Sequence, residues 1–559
     1  MESMKKYLKT EKGKTLAGAV VLALLPVFYA LLRCLMDGKG ISDLYLPAST
    51  WNDELFYYKL TENVVNYGYP QGYFGFNESH GLCLSFAAWS PLLLLSWVIW
   101  GLIFGWNLLS PILCNMAFLA IALFLFGMWT RPTWKQILAM ACLYGAFTPI
   151  TRFTLSCIPE AELFALLILF LGLALSCEKK YRGKKVAGMF VLVMLMTWMR
   201  PYLILLFLTP YVLWKKQRTL RSGDSPEKPK VSETEKSNEK QNVSKCHVGL
   251  TEYVTLLLGS LTVAVYWAVN HFFSAPYLTD LFYTDWIKTY FAEGLLAGIK
   301  YTLWKLADSL RTVFRLIGDN LFSQGQQDSA AGCYYLIFLM LFLIVLLKVV
   351  IGLKQSRKQE TGGSILPEVQ MLLCMAGFFV ADLLMYRIQE GGRHTLVYIV
   401  GCLFLIPFWR EKERYPISGI LCILFLVILV GRADVPYEFA LPYRTEEHAA
   451  DLARLETQLE KEMRLTADTP NYDNTVIWTV WDSVDGQTRT VDFGAYYAVP
   501  TGFGINLCDG GYMDANLEHL QSRYIGTIPG GAFEKRCMEA GGKRIGACDR
   551  LVVYDMRPE

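Results

Sequence analysis

Four places in the chain combine residue types that could do chemistry. Trp51-Asn52-Asp53-Glu54-Leu55-Phe56-Tyr57-Tyr58 sets two carboxylates beside aromatic rings, and Cys157-Ile158-Pro159-Glu160-Ala161-Glu162 carries a second acidic pair just after a proline. Arg200 stands in Met199-Arg200-Pro201-Tyr202 between two apolar arms, and Gly391-Gly392-Arg393-His394-Thr395 opens another apolar run. A carboxylate can take a proton from a reacting hydroxyl or amine. A guanidinium fork can give a phosphate two hydrogen bonds at once. The combination suits acid–base work on an anionic lipid head group. Each piece also has a plainer reading. Asn52, Asp53 or Glu54 can cap a surface helix, Glu160 and Glu162 can complement a helix dipole, and Arg393 with His394 can anchor a span at the interface.

The elements that must position these groups are membrane spans. The chain has 559 residues, 53% hydrophobic, 14% aromatic and only 18% charged, with 53 Lys plus Arg against 50 Asp plus Glu and a net charge of +3. Soluble domains average about 25% charged, and the mean hydropathy here is +0.30. A disordered tail, a fibrous repeat and an ordinary soluble enzyme are excluded, and the charge balance gives no hint of nucleic acid. The apolar residues are contiguous over 15–35, 108–129, 134–150, 161–176, 251–270, 333–350, 369–385, 395–408 and 417–430.

Two stretches need argument. The run 186–214 is interrupted by Arg200-Pro201, where a charge and a helix breaker coincide. The run 85–105 is apolar but holds Phe86, Trp89, Trp97, Trp100 and Phe104 with an early Pro91. Cytoplasmic loops carry the excess of Lys and Arg. The basic clusters around Lys5–Lys14, Arg131, Lys179–Lys185, Lys215–Arg221, Lys348–Lys358 and Arg410–Arg414 fall on one side if 85–105 lies along the membrane and 186–214 goes in and back out. The expectation is a polytopic α-helical membrane protein of about 11 spans in the plasma (cell) membrane, N-terminus cytoplasmic, with a small C-terminal extracytoplasmic α/β domain.

Residues 1–430 are then the transmembrane module, with 36–84 a first outer loop, 85–105 a membrane-lying helix, 215–249 a flexible cytoplasmic linker and 271–327 an outer loop of amphipathic helices. Residues 431–559 form the soluble domain, helical over 446–464, strand-like over 475–480 and 550–554, with another helix opening within 530–540. Cys508, Cys537 and Cys548 in that domain allow one disulfide and a spare thiol. No cysteine spacing resembles a zinc site, and no Walker A or GxGxxG motif occurs.

The order of these features resembles the GT-C superfamily of polyprenyl-phosphate-sugar-dependent glycosyltransferases, in particular its aminoarabinose-transferase and protein O-mannosyltransferase branch. That family's Asp-Glu pair followed by an aromatic is similar to Asp53-Glu54 with Tyr57. Its aromatic, Pro-led membrane-lying helix resembles Trp89-Ser90-Pro91-Leu92 through Gly105. Its Pro-Asp at the start of a span resembles Pro159-Glu160, its Lys before Gly-Pro resembles Met199-Arg200-Pro201, and its Arg opening a late span resembles Arg393. The pattern covers about 15–430. It departs where Trp89-Ser90-Pro91 lacks the family's basic residue, where Glu160 replaces Asp and where Arg200 replaces Lys.

The resemblance implies transfer of a sugar from a polyprenyl-phosphate-linked donor to a cell-envelope glycan, lipid or protein acceptor on the outer face, with inversion. Asp53 and Glu160 would be catalytic, Asp53 as the general base. Glu54, Tyr57, Glu162, Arg200, Arg393 and His394 would bind substrate, with Arg200 and Arg393 on the leaving phosphate. Whether a divalent cation assists is open, since two or three carboxylates can hold one or simply be acids. A transporter or flippase of lipid-linked saccharide explains Arg200 and Arg393 equally well, but not the gathering of acidic side chains in two outer loops.

Overall fold

In hydrocarbon every backbone polar group must be satisfied within its own segment, and the apolar runs accordingly fold as helices. A computed structural model describes residues 10–44, 52–68, 75–78, 91–222, 249–273, 284–322, 331–357, 366–409, 443, 445–466, 471–479, 481–508 and 510–558. In chain order the helices are α1 (Glu11–Met36), α2 (Asn52–Tyr67), α3 (Leu95–Phe104), α4 (Ser110–Thr130), α5 (Trp134–Ala146), α6 (Thr148–Thr154) and α7 (Glu160–Lys179). They continue with α8 (Gly183–Met199), α9 (Leu208–Ser222), α10 (Leu250–Phe273), α11 (Asp285–Ala292), α12 (Leu295–Phe322), α13 (Ala331–Arg357), α14 (Leu366–Met385) and α15 (Leu396–Leu405).

Among the described residues six of these helices (α1, α4, α7, α10, α13 and α14) are long and apolar enough to cross a membrane. A seventh results if α5 and α6 are one span bent by 71°. The architecture is that of a polytopic helical membrane protein. The other expected crossings are shorter or broken: α8 has 17 residues, Gly392–Phe408 is a shorter apolar helix, and 417–430 lies outside the described residues, as do most of the linker and the basic N-terminus. The bundle is built around α7, whose side chains are almost all buried against α4, α8 and α15.

In the stretch 85–105, where a membrane-lying helix is expected, a 3-10 turn (Pro91–Leu94) runs into α3, and 85–90 lie outside the described residues. At 1.5 Å per residue α3 spans about 15 Å, half the hydrocarbon thickness. Ile99, Leu102, Ile103 and Phe104 are exposed while Trp97 and Gly101 are buried. Residues 186–214 fold as two arms: α8 stops at Met199, a 3-10 segment runs Pro201–Phe207, and α9 packs back on α8. In the 271–327 segment α12 turns Val313 and Ile317 onto α13 and α14 and leaves Leu296, Leu303, Trp304 and Phe314 exposed.

The C-terminal domain carries α16 (Glu446–Glu462), α17 (Gly510–Asn516) and α18 (Ala532–Glu539) around strands β2 (Thr475–Thr479), β5 (Gly504–Cys508), β6 (Tyr524–Thr527), β7 (Lys543–Ala547) and β8 (Val552–Asp555). A side hairpin joins β3 (Trp481–Val484) to β4 (Gln487–Thr490) through Asp485 and Gly486, both at positive φ (51° and 75°). Asp-Gly is the dipeptide such a two-residue turn favours.

With β1 (Gly75–Phe76) included, the sheet order is β1-β5-β2-β6-β8-β7, with β1, β5, β2 and β6 parallel and β8 antiparallel to both its neighbours. Its edge strand β1 is Gly75–Phe76, contributed by the 36–84 loop. The sheet domain therefore does not begin and end within 431–559. One apolar core runs unbroken from Leu22 in the bundle through Phe56 of α2 to Trp478 and Val553 in the sheet. Cys537 and Cys548 are buried free thiols, and Cys508 is buried as well.

Candidate active site

Helix α2 is wedged between bundle and sheet, and every residue from Asp53 to Thr61 is buried. At about 100° per residue, Asp53 and Tyr57 share one face. Glu54 faces a quarter turn to one side, while Phe56, Lys59, Asn63 and Tyr67 form a stripe to the other. These three faces meet three different parts of the protein.

The Asp53 face meets the two arginines. Arg393 Nη2 donates to Asp53 Oδ2 at 2.7 Å, and Arg200 Nη2 donates to Glu160 Oε1 at 2.8 Å. The Tyr57 hydroxyl and Arg393 each lie within electrostatic reach of Asp53, Glu160 and Arg200. Four charges separated by up to 340 positions in sequence thus gather in one place. The two pairs differ in access: the Arg393 and Asp53 side chains are 26% and 13% exposed, those of Arg200 and Glu160 8% and 2%. Burial pushes the Tyr57 phenol up, so it stays a protonated donor at neutral pH.

Local sequence explains each placement. Proline disfavours the helical region for the residue before it, so ahead of Pro201 Arg200 is extended (φ −141°, ψ 106°) and α8 ends. Arg393 follows Gly392, where a Cβ would stand 2.7 Å from the Ala331 Cα at the start of α13. Only glycine permits that approach. Glu160 sits in the first turn of α7 after Pro159. The preceding loop is fixed by Asn115, which donates to the Ser156 and Thr154 carbonyls at 2.8 and 3.3 Å and accepts from Trp97 Nε1 at 2.9 Å.

The site keeps unspent hydrogen-bonding capacity. Arg200 Nε and Glu160 Oε2 are buried without a hydrogen-bond partner among the described residues. A guanidinium has five N–H donors. An anion with several oxygens, next to a hydroxyl-bearing group, would satisfy such a constellation.

The other predicted residues go elsewhere. Glu54 turns from the arginines to α6, where its Oε1 lies 3.7 Å from Arg152 Nη1 and accepts the Cys157 N–H at 3.2 Å. Glu162 is buried and takes a hydrogen bond from Ser96 of α3. His394 is buried with its Nδ1 3.4 Å from the Tyr202 hydroxyl, and its ring packs against Tyr202 and Tyr386. Arg152 and Tyr202 were not singled out by sequence, although Arg152 carries a signal as a lone charge in Ile150-Thr151-Arg152-Phe153 at the end of an apolar run. Among the described residues no three His, Cys, Asp or Glu side chains come together to hold a metal ion. Asp53 and Glu160 each face a guanidinium instead.

No protein-family model matches the chain, and no curated protein is similar to it. Among solved structures, ArnT from Cupriavidus metallidurans bound to undecaprenyl phosphate is 10% identical over 97% of this chain and 98% of that one, with a TM-score of 0.37. ArnT from the same organism in the apo state is also 10% identical, over 95% and 97% of the two chains, with a TM-score of 0.35. The likeness runs nearly end to end but is too slight in sequence and shape for any residue's role to be taken from it.

Proposed function

We propose that the chain is a membrane glycosyltransferase moving a sugar from a polyprenyl-phosphate donor to an acceptor on the extracytoplasmic face. The observation that carries this reading is the joining of Asp53–Arg393 and Glu160–Arg200 at the junction of bundle and sheet, with Arg200 Nε and Glu160 Oε2 unspent. A lipid-linked substrate explains why the charges sit where an apolar bundle meets a polar domain. An anionic leaving group explains why two arginines lie beside two carboxylates.

In this mechanism the acceptor oxygen or nitrogen attacks the anomeric carbon as the bond from that carbon to the phosphate oxygen breaks, in a single inverting displacement. Asp53 takes the acceptor proton, and the electron pair of the broken bond leaves on polyprenyl phosphate. Arg393 and Arg200 hold the charge that develops there, a preorganised contribution of about 3 kcal/mol for each well-placed donor. Glu160 keeps Arg200 ionised and aimed, and its second oxygen orients a sugar hydroxyl.

The test uses the full-length protein in detergent with polyprenyl-phosphate-linked mannose, glucose and 4-amino-arabinose. Release of polyprenyl phosphate matched by sugar transfer supports the reading. Movement of donor across a liposome with no bond broken would identify a flippase and sink it.

A further inference from the structure

We propose that the sheet domain is the positioning device for Asp53, acting through Lys59, Asn63 and Glu78; this rests on the reading of Asp53 as the base. The starting point is mechanical. A helix of 16 residues is marginal alone in water, and Asp53 reaches Arg393 through one side chain. A rotation of α2 by about 20°, at a side-chain radius of about 6 Å, moves the carboxylate about 2 Å. A misplacement of about 1 Å can cost a catalyst about 100-fold.

Two flanks of α2 oppose that rotation. On one, Glu54 is tied to Arg152 and the Cys157 N–H. On the other, the Phe56–Lys59–Asn63–Tyr67 stripe meets the sheet domain. Lys59 Nζ donates to the Val499 carbonyl at 2.7 Å and Glu62 Oε2 at 2.9 Å. Asn63 Oδ1 accepts the Gly502 N–H at 2.9 Å, the Tyr67 hydroxyl lies 3.4 Å from the Thr501 carbonyl, and Phe56 stacks on Trp478. Three side chains thus seize the single turn 499–502, where Gly502 adopts φ +97°. Asp53 and Tyr57 face between the two flanks.

A second set of bonds ties Asn77 and Glu78 to the sheet domain. Beyond β1, Asn77 donates its N–H to the Leu507 carbonyl at 2.9 Å. The Glu78 carboxylate accepts the Ser522 N–H at 2.7 Å, the Ser522 hydroxyl at 2.8 Å and the Gln521 N–H at 3.1 Å. Asn77 and Glu78 both lie in the left-handed region (φ 52° and 58°), a conformation that strains a residue like Glu. The carboxylate's bonds offset that strain and hold the conformation. Lys59, Asn63 and Glu78 are 6%, 1% and 7% exposed, too buried to touch an acceptor arriving from solvent. Their place in the reaction is to hold α2.

The experiment compares the wild type with Lys59→Met/Asn63→Ala, Glu78→Gln and Lys59→Arg, all full length in detergent. It reads amide deuterium exchange over 52–67, with α7 as the reference for intact folding, and kcat and KM with polyprenyl-phosphate-linked mannose, glucose and 4-amino-arabinose. The double variant is expected to exchange at least tenfold faster in α2 and to lose about 30-fold in kcat with donor KM within threefold. Glu78→Gln should show a smaller change of the same kind, and Lys59→Arg should recover most of the wild-type kcat. Unchanged α2 exchange, or a retained kcat with only acceptor KM raised, overturns the proposal. If the double variant does not fold, Asn63→Ala alone is read the same way. If the wild type transfers no sugar, the proposed function fails by itself, and α2 exchange still decides the positioning.

Discussion

Asp53 and Glu54 are neighbours in sequence and Glu160 and Glu162 stand two apart, yet each pair is split between two environments. Asp53 and Glu160 reach the guanidinium groups of Arg393 and Arg200. Glu54 and Glu162 turn away, one to Arg152 and the Cys157 N–H, the other to Ser96. The cause is helix geometry: a step of one or two residues rotates a side chain by about 100° or 200°. An acidic pair on a helix is therefore two single carboxylates with separate work. The first of each pair belongs to the charged site, and the second ties helices together behind it.

Among variants that leave Asp53 in place, the largest effect is expected at Arg200. Arg200→Ala strands Glu160 as a buried unpaired charge, a loss of about 3–5 kcal/mol in stability. It should also weaken polyprenyl phosphate binding by about 100-fold, measured by titration in detergent. Adding Glu160→Ala should restore part of the stability but none of the binding, which a double-mutant cycle reads directly.

Glu54→Gln comes next and acts through pH. Burial pushes the Glu54 carboxyl from its ordinary 4.5 up to about 7, against the pull of Arg152. The folded protein then holds this proton more tightly than the unfolded chain does. The stabilising contribution is full below pH 4.5 and is lost as pH rises to about 7, by up to about 3 kcal/mol at about 1.4 kcal/mol per tenfold change in proton affinity. Denaturation across that range should show a decline in stability with pH that Glu54→Gln flattens, while sugar transfer changes by less than about threefold. Glu162→Gln should do least: its hydrogen bond from Ser96 survives, and transfer should stay within about twofold of wild type.

Part of this arrangement is written locally. Arg200-Pro201 was legible because a proline forbids the helix and a charge between apolar arms demands a partner, so both the break and the buried ion pair follow from two letters. The long apolar helices were legible from run length, and the short helix α3 from its aromatics and early proline. Which member of each acidic pair faces the site was not legible, since one residue of uncertainty at a helix start rotates the answer by about 100°. Arg152 hid at the end of an apolar run as though it were an interfacial anchor. β1 could not be read from Gly75-Phe76 at all: two residues carry no alternation, and their pairing with Asn506 and Leu507 is set by the tertiary fold. Nor could the dependence of α2 on a turn more than 430 positions away be read from spacing.

In the proposed mechanism Asp53, and not its neighbour, takes the acceptor proton. The direct measurement is the rate of sugar transfer from polyprenyl-phosphate donors by Asp53→Asn beside Glu54→Gln, both checked for intact folding. Asp53→Asn is expected to lose about 10²–10⁴ in kcat while Glu54→Gln keeps at least about a third of the wild-type rate. Equal losses in the two variants, or full activity in Asp53→Asn, would contradict it.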